Sequence, residues 1–246
     1  LVADMVIDPG EAGAIKLNSS TLNLNGKTLT IKGDLIHSGG TLNVNGGTLI
    51  VEGDYRIQTP TEVEGAYTYS SGNLWMTNDA DYVQVNGNFI TDAVGSSSTN
   101  QRLSAGTLEV KGDFTQLSTH TTSNYAGSSF GASGTHRVLL SGSSSQTVSF
   151  SDPSSGLSHF NILEFENSPA NIIFSPSEPT TNKLVYEGGV ITFNNLAIKN
   201  LDFTLVADMV IDPGEAGAIK LNSSTLNLNG KTLTIKGDLI HSGGTL

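Results

Sequence analysis

Apolar and polar residues alternate over short runs along this chain, and Asn-Gly or Gly-Gly interrupts each run. Residues 21–40 (TLNLNGKTLTIKGDLIHSGG) and residues 41–60 (TLNVNGGTLIVEGDYRIQTP) align without a gap at a spacing of twenty. Alternation with a period of two is typical of β-strands, and Asn-Gly is typical of tight turns. The pattern therefore predicts short strands that recur in the same order.

The end of this segment returns further along the chain as apolar-x-apolar-x-Gly, then Asp or Asn, then an aromatic residue or Leu. The glycines of this motif are Gly33, Gly53, Gly87 and Gly112, at spacings of 20, 34 and 25 residues. These spacings predict coils of about 20–25 residues, with loop insertions between some of them.

Two all-β architectures accommodate the pattern. In a β-meander or sandwich, hairpins join successive strands and the gapless register is accidental. In a right-handed parallel β-helix, each coil stacks on the last at about 4.8 Å, so that equivalent residues lie above one another. Because residues 21–40 and 41–60 align without a gap, we expect the right-handed parallel β-helix, a β-solenoid.

In such a fold, equivalent residues of neighbouring coils form ladders. We expect the recurring Gly to adopt a positive φ at a coil corner and the Asp after it to cap the turn. Asp34 above Asp54 brings two like charges together, so these carboxylates should splay into water or share a cation. The predicted ladder residues are Leu22, Leu24, Leu29, Ile31, Gly33, Asp34, Leu42, Val44, Leu49, Val51, Gly53, Asp54, Gly87 and Gly112.

A second, longer repeat is exact: residues 205–246 reproduce residues 1–42 letter for letter. Structural repeats usually keep only side-chain classes, so identity over this length indicates recent duplication, homogenisation of an array, or a segment cut across a repeat boundary. We expect residues 1–204 to be one complete solenoid unit. Residues 205–246 would be the start of the next unit, continuous with the first and folded like residues 1–42.

Charge and composition narrow the class of partner. The chain has 246 residues, a formal net charge of −11 and no Cys. Accumulated negative charge disfavours nucleic acid and anionic membranes, and divalent cations would be natural partners. No apolar run reaches transmembrane length. We therefore expect no nucleic-acid binding and no membrane insertion.

Over roughly residues 21–114 the chain resembles the tandem repeats of bacterial cell-surface β-strand-repeat proteins. The resemblance rests on the pattern Asn-Gly-x-Thr-Leu-x-Ile/Val-x-Gly-Asp-Leu/Tyr/Phe, and residues 135–204 share only general β-helix character. It implies the right-handed parallel β-helix of the pectate-lyase-like superfamily. It also implies a long, secreted protein at the cell surface, built for reach or adhesion.

That superfamily also contains polysaccharide lyases and glycoside hydrolases, which act through clustered carboxylates. The best acidic cluster here is the Asn78-Asp79-Ala80-Asp81 turn, where Asp79 and Asp81 could bind Ca²⁺ weakly; a solvated turn is the alternative. The five histidines lack metal-ligand spacing, and no nucleophile elbow or phosphate loop is present. We expect no catalytic residue, no enzyme activity and no cofactor other than weak Ca²⁺.

Two insertions place aromatic residues beside amides and small polar residues. Loops on a rigid scaffold often bind ligands, and aromatic rings can stack on sugars. The alternative is that these rings pack inward and hold their loops in place. The candidate ligand-binding residues are Tyr67, Tyr69 and Trp75 in residues 59–75, and Tyr125 and Phe130 in residues 116–136.

Together these patterns favour a structural protein. We expect units stacked end to end in an extracellular fibre, stalk or surface filament of a prokaryote, with further copies in the same array as partners and lateral bundling between fibres. A unit would contain nine or ten coils and span about 45 Å. The alternatives are an adhesin that binds carbohydrate or matrix through residues 59–75 and 116–136, and a β-helical polysaccharide lyase or glycoside hydrolase.

Overall fold

A computed structural model of the chain describes a succession of short strands with a 3-10 turn at Gly10–Ala12. The described residues are 1–94, 102–120, 129–151, 156–165, 172–174, 180–186, 189–192, 196–199, 202–205, 208–212, 218–222 and 224–246. In chain order the strands are β1 (Met5–Ile7), β2 (Ala14–Leu17), β3 (Thr21–Asn23), β4 (Thr28–Ile31), β5 (Asp34–His37), β6 (Thr41–Asn43), β7 (Thr48–Val51), β8 (Tyr55–Ile57), β9 (Thr59–Pro60), β10 (Tyr67–Thr68), β11 (Asn73–Trp75), β12 (Tyr82–Val85), β13 (Phe89–Thr91), β14 (Thr107–Val110), β15 (Phe114–Gln116), β16 (Arg137–Leu140), β17 (Gln146–Phe150), β18 (Phe160–Phe165), β19 (Ile172–Phe174), β20 (Thr180–Tyr186), β21 (Gly189–Thr192), β22 (Leu196–Lys199), β23 (Asp202–Thr204), β24 (Met209–Asp212), β25 (Ala218–Asn222), β26 (Ser224–Asn227), β27 (Leu233–Ile235), β28 (Asp238–His241) and β29 (Gly244–Thr245).

These strands form parallel sheets, through which the chain passes repeatedly. One sheet has eleven strands in the order β1-β4-β7-β12-β14-β16-β18-β20-β22-β25-β28. A second has seven, in the order β19-β17-β15-β13-β8-β5-β2. Three more sheets have three strands each: β11-β6-β3, β21-β24-β27 and β23-β26-β29. We call one traverse of the chain through successive sheets a pass.

Parallel pairing excludes the meander, because a tight hairpin cannot join parallel neighbours. The small β9–β10 hairpin is antiparallel, and it lies outside the stacked sheets. The fold is therefore all-β with parallel sheets, an arrangement compatible with a parallel β-helix.

The register between passes follows the sequence repeat. Leu22 lies opposite Leu42, Leu29 opposite Leu49, and Ile31 opposite Val51. Val83 then pairs with both Leu49 and Leu108, so that successive passes contain 20, 34 and 25 residues. The extra residues of the longer passes lie in insertions between strands.

Side chains between the sheets form one apolar core. The aliphatic residues Leu24, Leu42, Val44, Leu49 and Val51 are fully buried there.

A row of aromatic rings continues this core. The ring centroids of Tyr55 and Phe89 are 5.4 Å apart, and those of Phe89 and Phe114 are 5.2 Å apart. Phe114 in turn contacts Phe150 at 5.5 Å and Phe160 at 4.9 Å. Each large ring fills the interior above the previous one, so the core stays packed where successive passes differ in length.

The second copy of the 42-residue segment continues a different sheet from the first. β2 ends the seven-stranded sheet, whereas its copy β25 extends the eleven-stranded sheet. The change occurs at β20, whose residues 181–186 pair with β18 and whose first two residues pair with β22.

Candidate functional site

The two identical segments make the same strand pairings. Met5 lies opposite Leu29, and its copy Met209 lies opposite Leu233. The same holds for β2 with β5 and β25 with β28, both at a spacing of twenty. Where both copies are described, one sequence therefore gives the same local strand pairing.

Their polar contacts repeat as well. Asp4 Oδ1 accepts the Thr28 N–H at 2.8 Å, and Asp208 Oδ1 accepts the Thr232 N–H at 2.8 Å. The Asn25-Gly26 turn has φ of 52° and 70°, and its copy Asn229-Gly230 has 47° and 70°. These left-handed turns suit Asn-Gly and hold the strands on either side in register.

The two copies of the 42-residue segment differ in which of their sides is covered by a neighbouring pass. Met5 is 46% exposed at the start of the stack, whereas Met209 is 0% exposed beneath β21. Conversely, Leu35 is 1% exposed beneath the next pass, and its copy Leu239 is 39% exposed. We call β1, β2 and β3 the leading edge and β27, β28 and β29 the trailing edge. Both edges consist of terminal strands of their sheets.

The Gly-Asp motif forms a hydrogen-bonded ladder along the stack. Asp34 Oδ1 accepts the Asp54 N–H, Asp54 Oδ1 accepts the Asn88 N–H, and Asn88 Oδ1 accepts the Asp113 N–H, each at 2.8 Å. The second oxygen of Asp54 pairs with Arg56 Nη2 at 2.8 Å. Backbone donors of the next pass thus compensate the stacked carboxylates, and no shared cation is needed.

The expected positive φ at the motif glycines is wrong. Gly33, Gly53, Gly87 and Gly112 do not have positive φ. A Cβ on Gly87 would lie 2.7 Å from the carbonyl carbon and oxygen of Gly53, and one on Gly112 would lie 2.5 Å from the Gly87 oxygen. Glycine is required here because successive backbones approach closely.

The Asp79 and Asp81 side chains take different partners. Asp81 is buried, and its carboxylate accepts the N–H groups of Gly46 (2.5 Å), Thr77 (2.7 Å) and Asn78 (3.0 Å). Asp79 is exposed, and its Oδ1 accepts the Thr135 hydroxyl at 2.5 Å. Within the described residues no group of three or more His, Cys, Asp or Glu side chains could hold a metal ion. The geometry gives Asp81 the role of fixing its turn.

Two of the candidate aromatic residues lie at the surface. Tyr69 is 41% exposed and contacts His120 edge-on at 4.5 Å. Trp75 is 38% exposed on β11, where its carbonyl accepts the Val44 N–H at 3.1 Å. Tyr67 is half-buried, with the Arg56 guanidinium 5.1 Å from its ring centre. The sequence pattern did not indicate these partners, because Arg56 lies on β8 before the hairpin that contains Tyr67, and His120 comes from a later pass than Tyr69.

Phe130 lies in the core and not at the surface where ligand binding was considered. It is 1% exposed and packs against Phe89, Phe114 and Phe160 in the aromatic row, which is the inward-packing alternative. Ala132, two residues further on, is also buried. This part of residues 116–136 therefore packs inward. Tyr125 lies outside the described residues.

Two buried histidines are further features that sequence reasoning missed. Burial lowers the pKa of His37 to about 4, although backbone contacts at Gly40 and Gly39 oppose the shift. Burial also lowers the pKa of His136 to about 3. Neither ring nitrogen of His136 has a hydrogen-bond partner in the described part of the chain.

Among the described residues, no helix has the length and apolar character needed to cross a membrane. Comparisons with protein-family models, with curated proteins and with solved structures find no match to this chain.

Proposed function

We propose that this chain is a structural repeat of an extracellular prokaryotic filament, built by end-to-end stacking of units that are right-handed parallel β-helices. The passes are then the coils of the helix. The proposed hand follows from the strong preference of parallel crossover connections for right-handedness. The chain has no enzymatic role in this proposal.

One observation carries the proposal. Residues 24–42 are covered by the following pass in the first copy, and the same sequence at residues 228–246 is open. The apolar residues whose burial is described between 205 and 226 are buried by the preceding pass, except the half-buried Val210, and their counterparts between 1 and 22 are exposed or only partly buried. A following unit of this sequence would therefore meet, at the trailing edge, the surface that residues 43–57 cover within this chain.

Stacking at these edges also satisfies the backbone. A terminal strand of a parallel sheet presents unpaired N–H and C=O groups, and a further coil would pair them. Leu239, Ile240 and Leu246 would lose their exposed area at the same time, as their copies Leu35, Ile36 and Leu42 do in the first segment. Head-to-tail contacts that do not close into a ring generate a filament.

The test is to lengthen the chain by one and two further 204-residue units and to measure the maximum dimension by small-angle X-ray scattering. By the pairing order of the strands, β1 and its copy β24 are separated by between eight and nine passes, so each unit should add about 40 Å at about 4.8 Å per pass. Leu239→Asp should break the junction and make the particle flexible, whereas Thr234→Asp, at an exposed position, should not. Growth well below 40 Å per unit would contradict end-to-end stacking.

The exposure of Trp75 and Tyr69 favours a second candidate, an adhesin that binds carbohydrate at this surface. Exposed aromatic faces stack on sugar rings. Binding to a panel of soluble polysaccharides should be lost in Trp75→Ala and kept in Trp75→Phe. Equal binding, or none, in all three proteins would remove this candidate and leave the filament proposal unaffected.

A further inference from the structure

The outer face of the eleven-stranded sheet contains a buried carboxylate. On β14, Leu108 and Val110 are fully buried in the core, so the alternation of a strand turns Glu109 between them away from the core. A glutamate that faces outward is normally hydrated, yet Glu109 is only 8% exposed. Groups from the neighbouring passes must therefore cover it.

Hydroxyl groups of the two neighbouring passes bind the Glu109 side chain. The Tyr82 hydroxyl, on β12, donates to Oε2, and the Ser141 hydroxyl, just after β16, donates to Oε1 at 2.5 Å. Lys111 Nζ lies 3.9 Å from Oε1, which is too far for a hydrogen bond. Because a carboxylate can accept more hydrogen bonds than these two, Glu109 keeps capacity for further donors.

A cleft of about 560 Å³ opens beside this carboxylate. Clefts of this size are typical of small-ligand sites. Its lining comes from three successive passes and consists of a carboxylate, an ammonium group, an amide and three hydroxyls. The lining residues are Asn86, Glu109, Lys111, Ser141, Ser143 and Ser144.

One wall of the cleft is held in place from inside the protein. This wall is the turn after β16, which contains the three serines, and the buried Gln146 ties it to the end of β14. Gln146 Oε1 accepts the Gly142 N–H at 2.8 Å, and its Nε2 donates to the carbonyls of Val110 at 2.9 Å and Gly112 at 2.6 Å. The wall is thus formed before a ligand binds, so that little conformational entropy is lost on binding.

The groups in the cleft suit a neutral ligand with many hydroxyls. Glu109 and Lys111 carry opposite charges, so the formal charges of the lining cancel. The serine hydroxyls and the Asn86 amide can both donate and accept, as the hydroxyls of a sugar do. The Glu109 carboxylate would accept from sugar hydroxyls and repel an acidic sugar. Among the described residues that line the cleft none is aromatic, so recognition would rest on hydrogen bonds and not on stacking.

We propose that this cleft binds a short segment of a neutral saccharide, with Glu109 as the central acceptor and the serine turn as the opposite wall. β12, β14 and β16 are inner strands of their sheet, so one chain supplies the whole cleft. The site is separate from the aromatic surface at Trp75, and it does not depend on end-to-end stacking.

Saturation-transfer difference NMR on the full chain would test this, with maltotriose, cellotriose and mannotriose as neutral probes and trigalacturonate as the anionic comparison. We expect a neutral trisaccharide to bind and trigalacturonate to bind more weakly. Ser144→Val removes a hydroxyl from the cleft and adds methyl groups, so it should weaken binding roughly tenfold. Ser145→Val is the matched control, because Ser145 is exposed in the same turn but does not line the cleft.

Two further variants locate the site. Glu109→Gln should weaken binding because its amide nitrogen cannot accept a hydrogen bond, and circular dichroism would show that the fold persists. Trp75→Ala should bind as the wild type does. Equal binding in all the variants, loss in Trp75→Ala alone, preference for trigalacturonate, or no binding of any neutral probe would each overturn the proposal. Each of these outcomes leaves the filament proposal to its own scattering test.

Discussion

At the scale of single residues, backbone contacts between passes determine which side chains the stack accepts. The motif glycines admit the backbone of the neighbouring pass, and the Asp or Asn after them accepts an N–H from the next pass. Repetition of this pair of contacts explains why Gly-Asp recurs at the ends of strands. A ladder of this kind needs only one acceptor per pass, so Asn88 serves where the other passes have Asp.

Gly87→Ala tests the close approach. The added methyl group would lie 2.6 Å from Asp54 Oδ1 and 2.7 Å from the Gly53 carbonyl, so we expect a loss of about 1–3 kcal/mol in the free energy of unfolding. Gly156→Ala is the matched control, because nothing lies within 4 Å of its Cβ position. Urea denaturation of both variants would measure the difference. Equal stability of the two would show that the backbones do not approach as described.

His136 gives a pH dependence to folding itself. Its pKa is lowered to about 3 by burial, so the unfolded chain binds the extra proton between pH 3 and 6.5. Stability should therefore be full above pH 6.5 and fall as pH decreases. Between pH 7.5 and 5.0 the wild type should lose about 2 kcal/mol more than His136→Phe. Parallel curves of unfolding free energy against pH for the two proteins would show that His136 is not buried in its neutral form.

At the scale of strands, the first half of the chain could be predicted from sequence because each pass repeats the last. The gapless alignment of residues 21–40 with residues 41–60 sets Leu22 opposite Leu42 and Ile31 opposite Val51, which are the pairs in the structure. Beyond residue 114 the sequence offers no such alignment, so the pairing of β18 with β20 could not be predicted from it.

Side-chain roles were harder to predict than register. Alternation shows that a residue points inward, but it does not show what packs above it. Phe130 and His136 come from an insertion without the repeat pattern. Phe130 packs against Phe89 of another pass, and His136 packs against Phe130. Asp81 could not be assigned either, because its donor Gly46 lies 35 residues away.

The β9–β10 hairpin should be dispensable for the stack. It pairs only with itself among the described strands, and Val63 in its loop is 68% exposed. Removing residues 61–66 should change the free energy of unfolding by less than about 1 kcal/mol, since shortening an exposed loop has a small entropic effect. Removing the six residues 48–53 instead deletes β7 and should prevent folding. Thermal unfolding followed by circular dichroism would separate the two, and a severe loss from the first deletion would contradict an external hairpin.

At the scale of the whole molecule, one sequence occurs in two positions and is covered on a different side in each. In the first copy the following pass covers the apolar residues, and in the second copy the preceding pass covers those whose burial is described. Because β2 and β25 continue different sheets, successive units in a filament would be turned about the axis, so that their hairpins and aromatic surfaces point in different directions.

Electron microscopy of the native material, with measurement of the axial repeat, tests the central claim most directly. The account predicts a thin filament whose density repeats every 40 Å or so along its axis, one repeat for each 204-residue unit. Isolated particles about as long as one chain, without an axial repeat, would contradict end-to-end stacking.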